Sequence, residues 1–195
     1  MIRRQELLSY TLASVLLLYL LCDSAMAGRD LSMTIYGGKV GCDTMLESLA
    51  LTADYEDCCL LTLAVSKRFA SFKRYIDWEV EGQVVKHFGD QHHMEFNALI
   101  AARWVLFPWD KYLDTTFAVG QGLSYATETP KLEASCYDET SRLLDYMMFE
   151  LALCLPSVPQ WSVVTRVHHR SGAWGLFNGV HGASNALCFG ARYTF

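Results

Sequence analysis

The sequence predicts an all-β protein, an eight-stranded antiparallel transmembrane β-barrel, and three observations carry that prediction. First, the 195-residue chain is 52% hydrophobic yet 19% charged, with a mean hydropathy of +0.15. This balance lies between a soluble domain and a helical membrane protein. A barrel occupies that gap because only alternate residues of each strand meet lipid. Second, beyond the N-terminus no stretch approaches ~18 uninterrupted apolar residues, so no transmembrane helix is expected; period-two runs recur instead. Third, the final strand alternates cleanly. Leu187, Phe189, Ala191, Tyr193 and Phe195 share one face, and Cys188, Gly190, Arg192 and Thr194 share the other. An apolar outside over a small or polar inside suits the wall of a narrow barrel.

From the start of the chain, residues 1–27 read as a secretory signal peptide. Arg3 and Arg4 precede an apolar run from Thr11 to Leu21, and Ala25-Met26-Ala27 gives a small-x-small cleavage pattern. Cleavage before Gly28 leaves a barrel over 28–195, with an uncleaved anchor as the alternative. Strands are expected near 31–37, 58–68, 73–85, 93–105, 114–126, 142–154, 161–170 and 185–195. Each is about long enough to cross a bilayer at a tilt. Asp43–Ala50 is compatible with a short helix. With both termini at the periplasmic end, the turns Phe69–Phe72, Phe107–Tyr112 and Leu155–Trp161 lie on that side. They are short and aromatic-rich, as an interfacial girdle requires. The longer connections, 38–57, 86–92, 127–141 and 172–184, fall outside the cell.

Charged residues on otherwise apolar strands (Glu79, Glu81, Glu95, Arg103, Glu150, Arg166 and Arg192) are expected to pair inside the lumen, as structure and not as chemistry. The formal net charge of −5 argues against a nucleic-acid partner. Cys22 leaves with the signal peptide. None of the remaining cysteines has metal-ligand spacing, and neither metal nor cofactor is expected. Cys42 and Cys136 fall in loops, where they could pair in an oxidising compartment. Cys58, Cys59, Cys154 and Cys188 fall on strands and read as small buried residues.

The seventh strand carries the candidate chemistry. Trp161, Val163, Thr165, Val167 and His169 share one face. The opposite face holds Arg166 and Arg170, so the first is read as lipid-facing, with Ser171 continuing it. On the eighth strand Asn185 has the parity of Leu187 and Phe195, and the intervening loop returns it beside His169. Polar groups facing hydrocarbon are costly unless paired. A serine beside a histidine is the minimum for nucleophilic acyl transfer, with a third group to orient the ring. The spacing alone favours an interfacial histidine followed by a loop serine.

The stretch Arg166-Val167-His168-His169-Arg170-Ser171-Gly172-Ala173-Trp174-Gly175-Leu176-Phe177, with Gly182-Ala183-Ser184-Asn185 and Gly190-Ala191-Arg192-Tyr193-Thr194-Phe195, resembles the C-terminal end of the lipid A 3-O-deacylase, or acyloxyacyl hydrolase-like, family of outer-membrane barrels. Phe107-Pro108-Trp109-Asp110 and Gly120-Gln121-Gly122-Leu123-Ser124-Tyr125 look like its less-characterised branch. A terminal Phe with Tyr two before it also resembles the closing signature of outer-membrane barrels. The resemblance implies a bacterial outer-membrane location, assembly by the barrel assembly machinery, outer-membrane lipid around the wall and lipid A or lipopolysaccharide as substrate. It implies His169 as base and Ser171 as nucleophile on that wall. The family's third residue is a Glu on strand eight. Asn185 stands roughly there, and no Asp or Glu occurs from Ser157 to Phe195. The family's frequent Asn after the serine is Gly172 here, and backbone N–H groups around Gly172–Gly175 would serve as oxyanion donors. Arg166 and Arg192 are read as lumenal, Arg170 and His181 as surface contacts for lipid phosphates. The expected function is an outer-membrane esterase removing an ester-linked acyl chain from lipid A. The alternative is a non-catalytic barrel with a structural or lipid-binding role.

Overall fold

All eight expected strands form, and each pairs antiparallel with its neighbours. In the computed structural model, which describes residues 30–50 and 52–195, they are β1 (Leu31–Gly41), β2 (Cys58–Phe72), β3 (Ile76–Gly89), β4 (Met94–Trp104), β5 (Asp114–Ala126), β6 (Leu143–Cys154), β7 (Trp161–Ser171) and β8 (Ala183–Thr194). They follow chain order round a closed barrel, β1 pairing with β8 from Ser32↔Thr194 to Gly41↔Asn185. Closure leaves no unpaired sheet edge. The signal peptide read over 1–27, with its cleavage before Gly28, lies outside the described residues.

Alternation sorts the side chains. Met33, Ile35, Leu61, Val80, Ile100, Val119, Leu123, Leu151, Val163 and Phe189 are exposed on the outer wall, forming an apolar band. At the end holding both barrel termini, Phe69, Phe72, Trp78, Trp104, Trp109, Tyr112, Trp161 and Phe195 are exposed as an aromatic collar. Trp161, Tyr193 and Phe195 pack edge to face, with ring centroids 5.0 Å apart in each contact.

The lumen is filled by paired charge. Arg103 donates to both oxygens of Glu79 and to Glu150 at 2.8 Å. Arg166 donates to Glu150 and Glu81, and lies over the Tyr36 ring at 4.6 Å. Arg192 donates to Glu79 at 2.7 Å. Three arginines therefore meet three carboxylates, and each guanidinium fork is engaged more than once. Removing one partner from such a buried network costs about 3–5 kcal/mol, because the other is left uncompensated. Glu95, nearer the opposite end, is held by His87, His168 and Ser124.

Three sequence expectations change. The turn expected at Phe69–Phe72 lies instead at 73–75. A register shift between Arg68 and Ala70 breaks the alternation of β2 there, so its last residues resemble a turn while remaining paired to β3. The outer connections carry two short helices, α1 (Met45–Ala50) and α2 (Lys131–Cys136), of which only the first was anticipated. Among the strand cysteines, Cys58, Cys154 and Cys188 are buried but Cys59 is exposed, because it falls on the outward parity of β2. Cys42 and Cys136 form a disulfide tying the β1–β2 connection to α2.

Candidate active site

Strand register brings His169 and Asn185 together: they are direct partners in the β7–β8 ladder. His169 Nδ1 lies 2.7 Å from Asn185 Oδ1. The amide orientation is fixed from behind, since Asn185 Nδ2 donates to the backbone carbonyl of Asp43. With its NH₂ committed there, Asn185 presents its oxygen to the ring, and Nδ1 must carry the proton. Nε2 is then left as the acceptor, which is the tautomer a general base needs. Asn185 is only 1% exposed despite its outward parity, because the β1–β2 connection folds over it.

That connection is itself anchored. The disulfide at Cys42 immediately precedes Asp43, and Tyr137, next to Cys136, donates its hydroxyl to the Cys42 carbonyl at 2.7 Å. A covalent tie between two outer loops thus sets the position of the carbonyl that orients Asn185.

Ser171 ends β7 on the His169 side of the wall. Its ladder partners are Ala183 on β8 and Asp145 on β6. Its hydroxyl makes no hydrogen bond to a described residue. Asp145 was not singled out from sequence. It shares outward parity with Leu143 and Leu151, accepts a hydrogen bond from Gln121 on β5, and lies within Coulombic reach of the His169 ring. Gln121, Asp145, His169 with Ser171, and Asn185 therefore form a polar band across β5 to β8, all on the outer wall. The β7–β8 hairpin holds no carboxylate, and Asp145 is one on the neighbouring strand, placed diagonally to His169 in the β6–β7 ladder. No local sequence signal could reveal this proximity, because Asp145 is 24 residues from His169 and nears it only through the β6–β7 register.

The turn after Ser171 is unusual. Ala173 and Trp174 have φ of 47° and 55°, left-handed values that cost a non-glycine residue about 1–3 kcal/mol. The N–H groups of Gly172 and Gly175 are used, bonding to the carbonyls of Gly182 and Val180. Those of Ala173 and Trp174 have no described partner. Two successive free N–H groups in such a conformation form an anion-binding concavity. Of the expected donor region, Gly172–Gly175, only the N–H groups of Ala173 and Trp174 are left without a described partner. Gly172 has a steric reason: a Cβ there would sit 1.9 Å from the Val180 carbonyl oxygen, so no asparagine fits. Trp174 and Leu176 project from the turn at 93% and 80% exposure.

Arg170 is not a surface contact. It is 1% exposed, facing the lumen, where it bonds Ser124, Glu133 and the carbonyls of Ser141 and Arg142. Its parity follows Arg166, and α2 supplies the acid that compensates it. His181 is exposed as expected.

No family model matches the chain, and no curated protein matches it in sequence. Solved structures match in fold. The outer membrane enzyme PagL aligns with a TM-score of 0.56 at 14% identity, over 82% of this chain and 97% of that one. Neisserial surface protein A aligns with a TM-score of 0.52 at 10% identity, over 85% and 97%. Both likenesses place this chain among eight-stranded barrels of the outer-membrane type in architecture.

Proposed function

We propose that the chain is exported with loss of residues 1–27, assembles in a bacterial outer membrane, and hydrolyses an ester-linked acyl chain of lipid A on its outer wall. The observation carrying this reading is the Asp43–Asn185–His169 hydrogen-bond relay, which holds His169 with Nε2 unprotonated on the same face as Ser171. Where an asparagine replaces the acid of a serine triad and turns its NH₂ to the ring, the wrong tautomer costs about 10⁴-fold in rate. Here the Asp43 carbonyl takes the NH₂, so that penalty is avoided.

The reaction runs in two halves. Ser171 Oγ attacks the ester carbonyl carbon while His169 Nε2 takes its proton. The carbonyl oxygen becomes an oxyanion, bonded by the N–H groups of Ala173 and Trp174. Collapse breaks the bond to the sugar oxygen, which receives the proton from His169, and leaves an acyl-serine. Water then attacks that ester, again deprotonated by His169, releasing the fatty acid and free Ser171. Asp145 supplies the negative charge that Asn185 lacks and stabilises the transient imidazolium. Trp174 and Leu176 offer apolar surface beside the acyl chain.

Mass spectrometry of lipid A from cells with and without the gene tests this reading. Loss of one acyl chain that depends on Ser171 supports it; identical lipid A in the two strains overturns it. Inactive wild type with activity gained in Asn185→Glu identifies a deacylase scaffold without its acid.

A further inference from the structure

Behind the wall that carries His169, the lumen holds a second cluster. His87 on β3, His93 in the β3–β4 connection and Glu95 on β4 are each 4% exposed or less, and one ligating atom from each lies within 4.8 Å of the other two. His87 Nε2 is 2.9 Å from Glu95 Oε2, and the His87 and His93 rings stack with centroids 4.2 Å apart. We propose that these three residues form a binding site for a first-row divalent cation, with zinc as the best match to two imidazoles and a carboxylate.

A simpler account holds that the histidines only solvate the buried carboxylate of Glu95. It explains His87 and His168, which both bond Glu95, and it leaves His93 unexplained. The His93 ring is buried with no hydrogen bond to any described residue. Gln91 is a second orphan: its Oε1 is buried without a partner, while its Nε2 lies 3.1 Å from His87 Nδ1. Oxygen and nitrogen of an amide exchange by a half-turn. With Oε1 on Nδ1, His87 donates outward through Nδ1–H and offers Nε2 inward, which is how metal-bound histidines are normally held.

Outer partners are present for the carboxylate as well. Glu95 Oε1 is fixed by His168 Nε2 at 3.1 Å and Ser124 Oγ at 2.9 Å, leaving Oε2 as the ligand. A cavity of about 10 Å³ lies among His87, Gln91, His93, Glu95 and His168, room for one ion or water. Ligands about 2.1 Å from a tetrahedral ion are about 3.4 Å apart, so the His87–Glu95 pair needs to open by roughly half an ångström. Bound there, the cation would join the β3–β4 connection to two strands at the outer mouth of the lumen.

The test uses full barrel purified from membranes in detergent, stripped with a chelator, then dialysed against zinc chloride. Elemental analysis should find about one zinc per barrel, and the melting temperature should rise with zinc. His93→Ala removes a ligand that bonds nothing else, so it should fold, migrate as a heat-modifiable barrel and bind at least about 100-fold more weakly. His168→Gln, which removes an outer partner of Glu95 together with the His168 contact to Tyr146, should weaken binding about 10–100-fold in barrel that still migrates as folded. His92→Ala and His181→Ala, at exposed histidines, should bind as wild type does. No zinc in wild type, or equal zinc in wild type and folded His93→Ala, would overturn the proposal. Neither outcome depends on whether the outer wall is catalytic.

Discussion

The two faces of β7 invite comparison. Inward, Arg166, His168 and Arg170 are nearly inaccessible, and every one is tied to a carboxylate on another strand or on α2. Outward, on the other parity, His169 and Ser171 are partly exposed, and Ser171 Oγ and the N–H groups of Ala173 and Trp174 in the turn have no described partner. The inner face spends its polar groups on one another. The outer face leaves a serine hydroxyl, an imidazole nitrogen and, in a strained turn beside them, two N–H donors open. Satisfied polar networks rigidify, whereas unsatisfied ones are available to a ligand. One strand therefore separates structural charge from candidate chemistry by nothing more than parity.

The largest expected effect breaks this comparison on the outer side. Ser171→Ala should lower lipid A deacylation at least about 10³-fold, with unchanged melting temperature and heat-modifiable migration. His169→Asn should do the same. An alanine variant as active as wild type removes Ser171 as nucleophile.

On the inner side the outcome should invert. Glu150→Gln leaves Arg103 and Arg166 short of a partner and should destabilise the barrel by about 3–5 kcal/mol, read from urea unfolding in vesicles. Activity per folded molecule should be retained. A folded variant with full stability and lost activity would mean the two faces are not separable.

Between the faces lies the loop anchor. Replacing Cys42 and Cys136 by serine should cost about 2–4 kcal/mol, since the bridge spans 94 residues. Turnover should fall as well, because the Asp43 carbonyl loses its fixed position. Stability lost with turnover unchanged would detach the disulfide from the His169 relay.

The smallest effect sharpens the assignment of charge. Asp145→Asn should slow turnover about 10–100-fold with little change in substrate affinity, and Asn185→Glu should restore what it loses. Measuring both singly and together forms a cycle: additive effects would show that the two residues do not act on the same ring.

Much of this was readable from the sequence. The eight strands follow from period two, and the lumenal Glu79, Glu81, Glu95, Arg103, Glu150, Arg166 and Arg192 follow from parity. His169 and Asn185 could be paired because their strands are adjacent and joined by one short connection. Asp145 could not, since outward polar residues on different strands meet only through register. Arg170 was assigned to the surface because its acid, Glu133, sits in a six-residue helix too short to show a pattern. Gly172 looked like a departure from the family's asparagine, and its cause is a carbonyl eight residues further on.

The alternation of β7 also bears on how the barrel reaches its final state. A slip of one residue exchanges the two faces of a strand. For β7 it would place Arg166 and Arg170 against hydrocarbon and drop His169 into the lumen, away from Asn185. Such a misthreaded barrel would strand two guanidinium groups outside the lumen, leave Glu81 and Glu133 without cations and leave Glu150 with Arg103 but not Arg166. Its insertion would be disfavoured by far more than the cost of one lost contact. Pairing of the lumenal charge thus proofreads the outer wall: a barrel whose inner arginines have met their carboxylates already has His169, Ser171 and Asn185 in register.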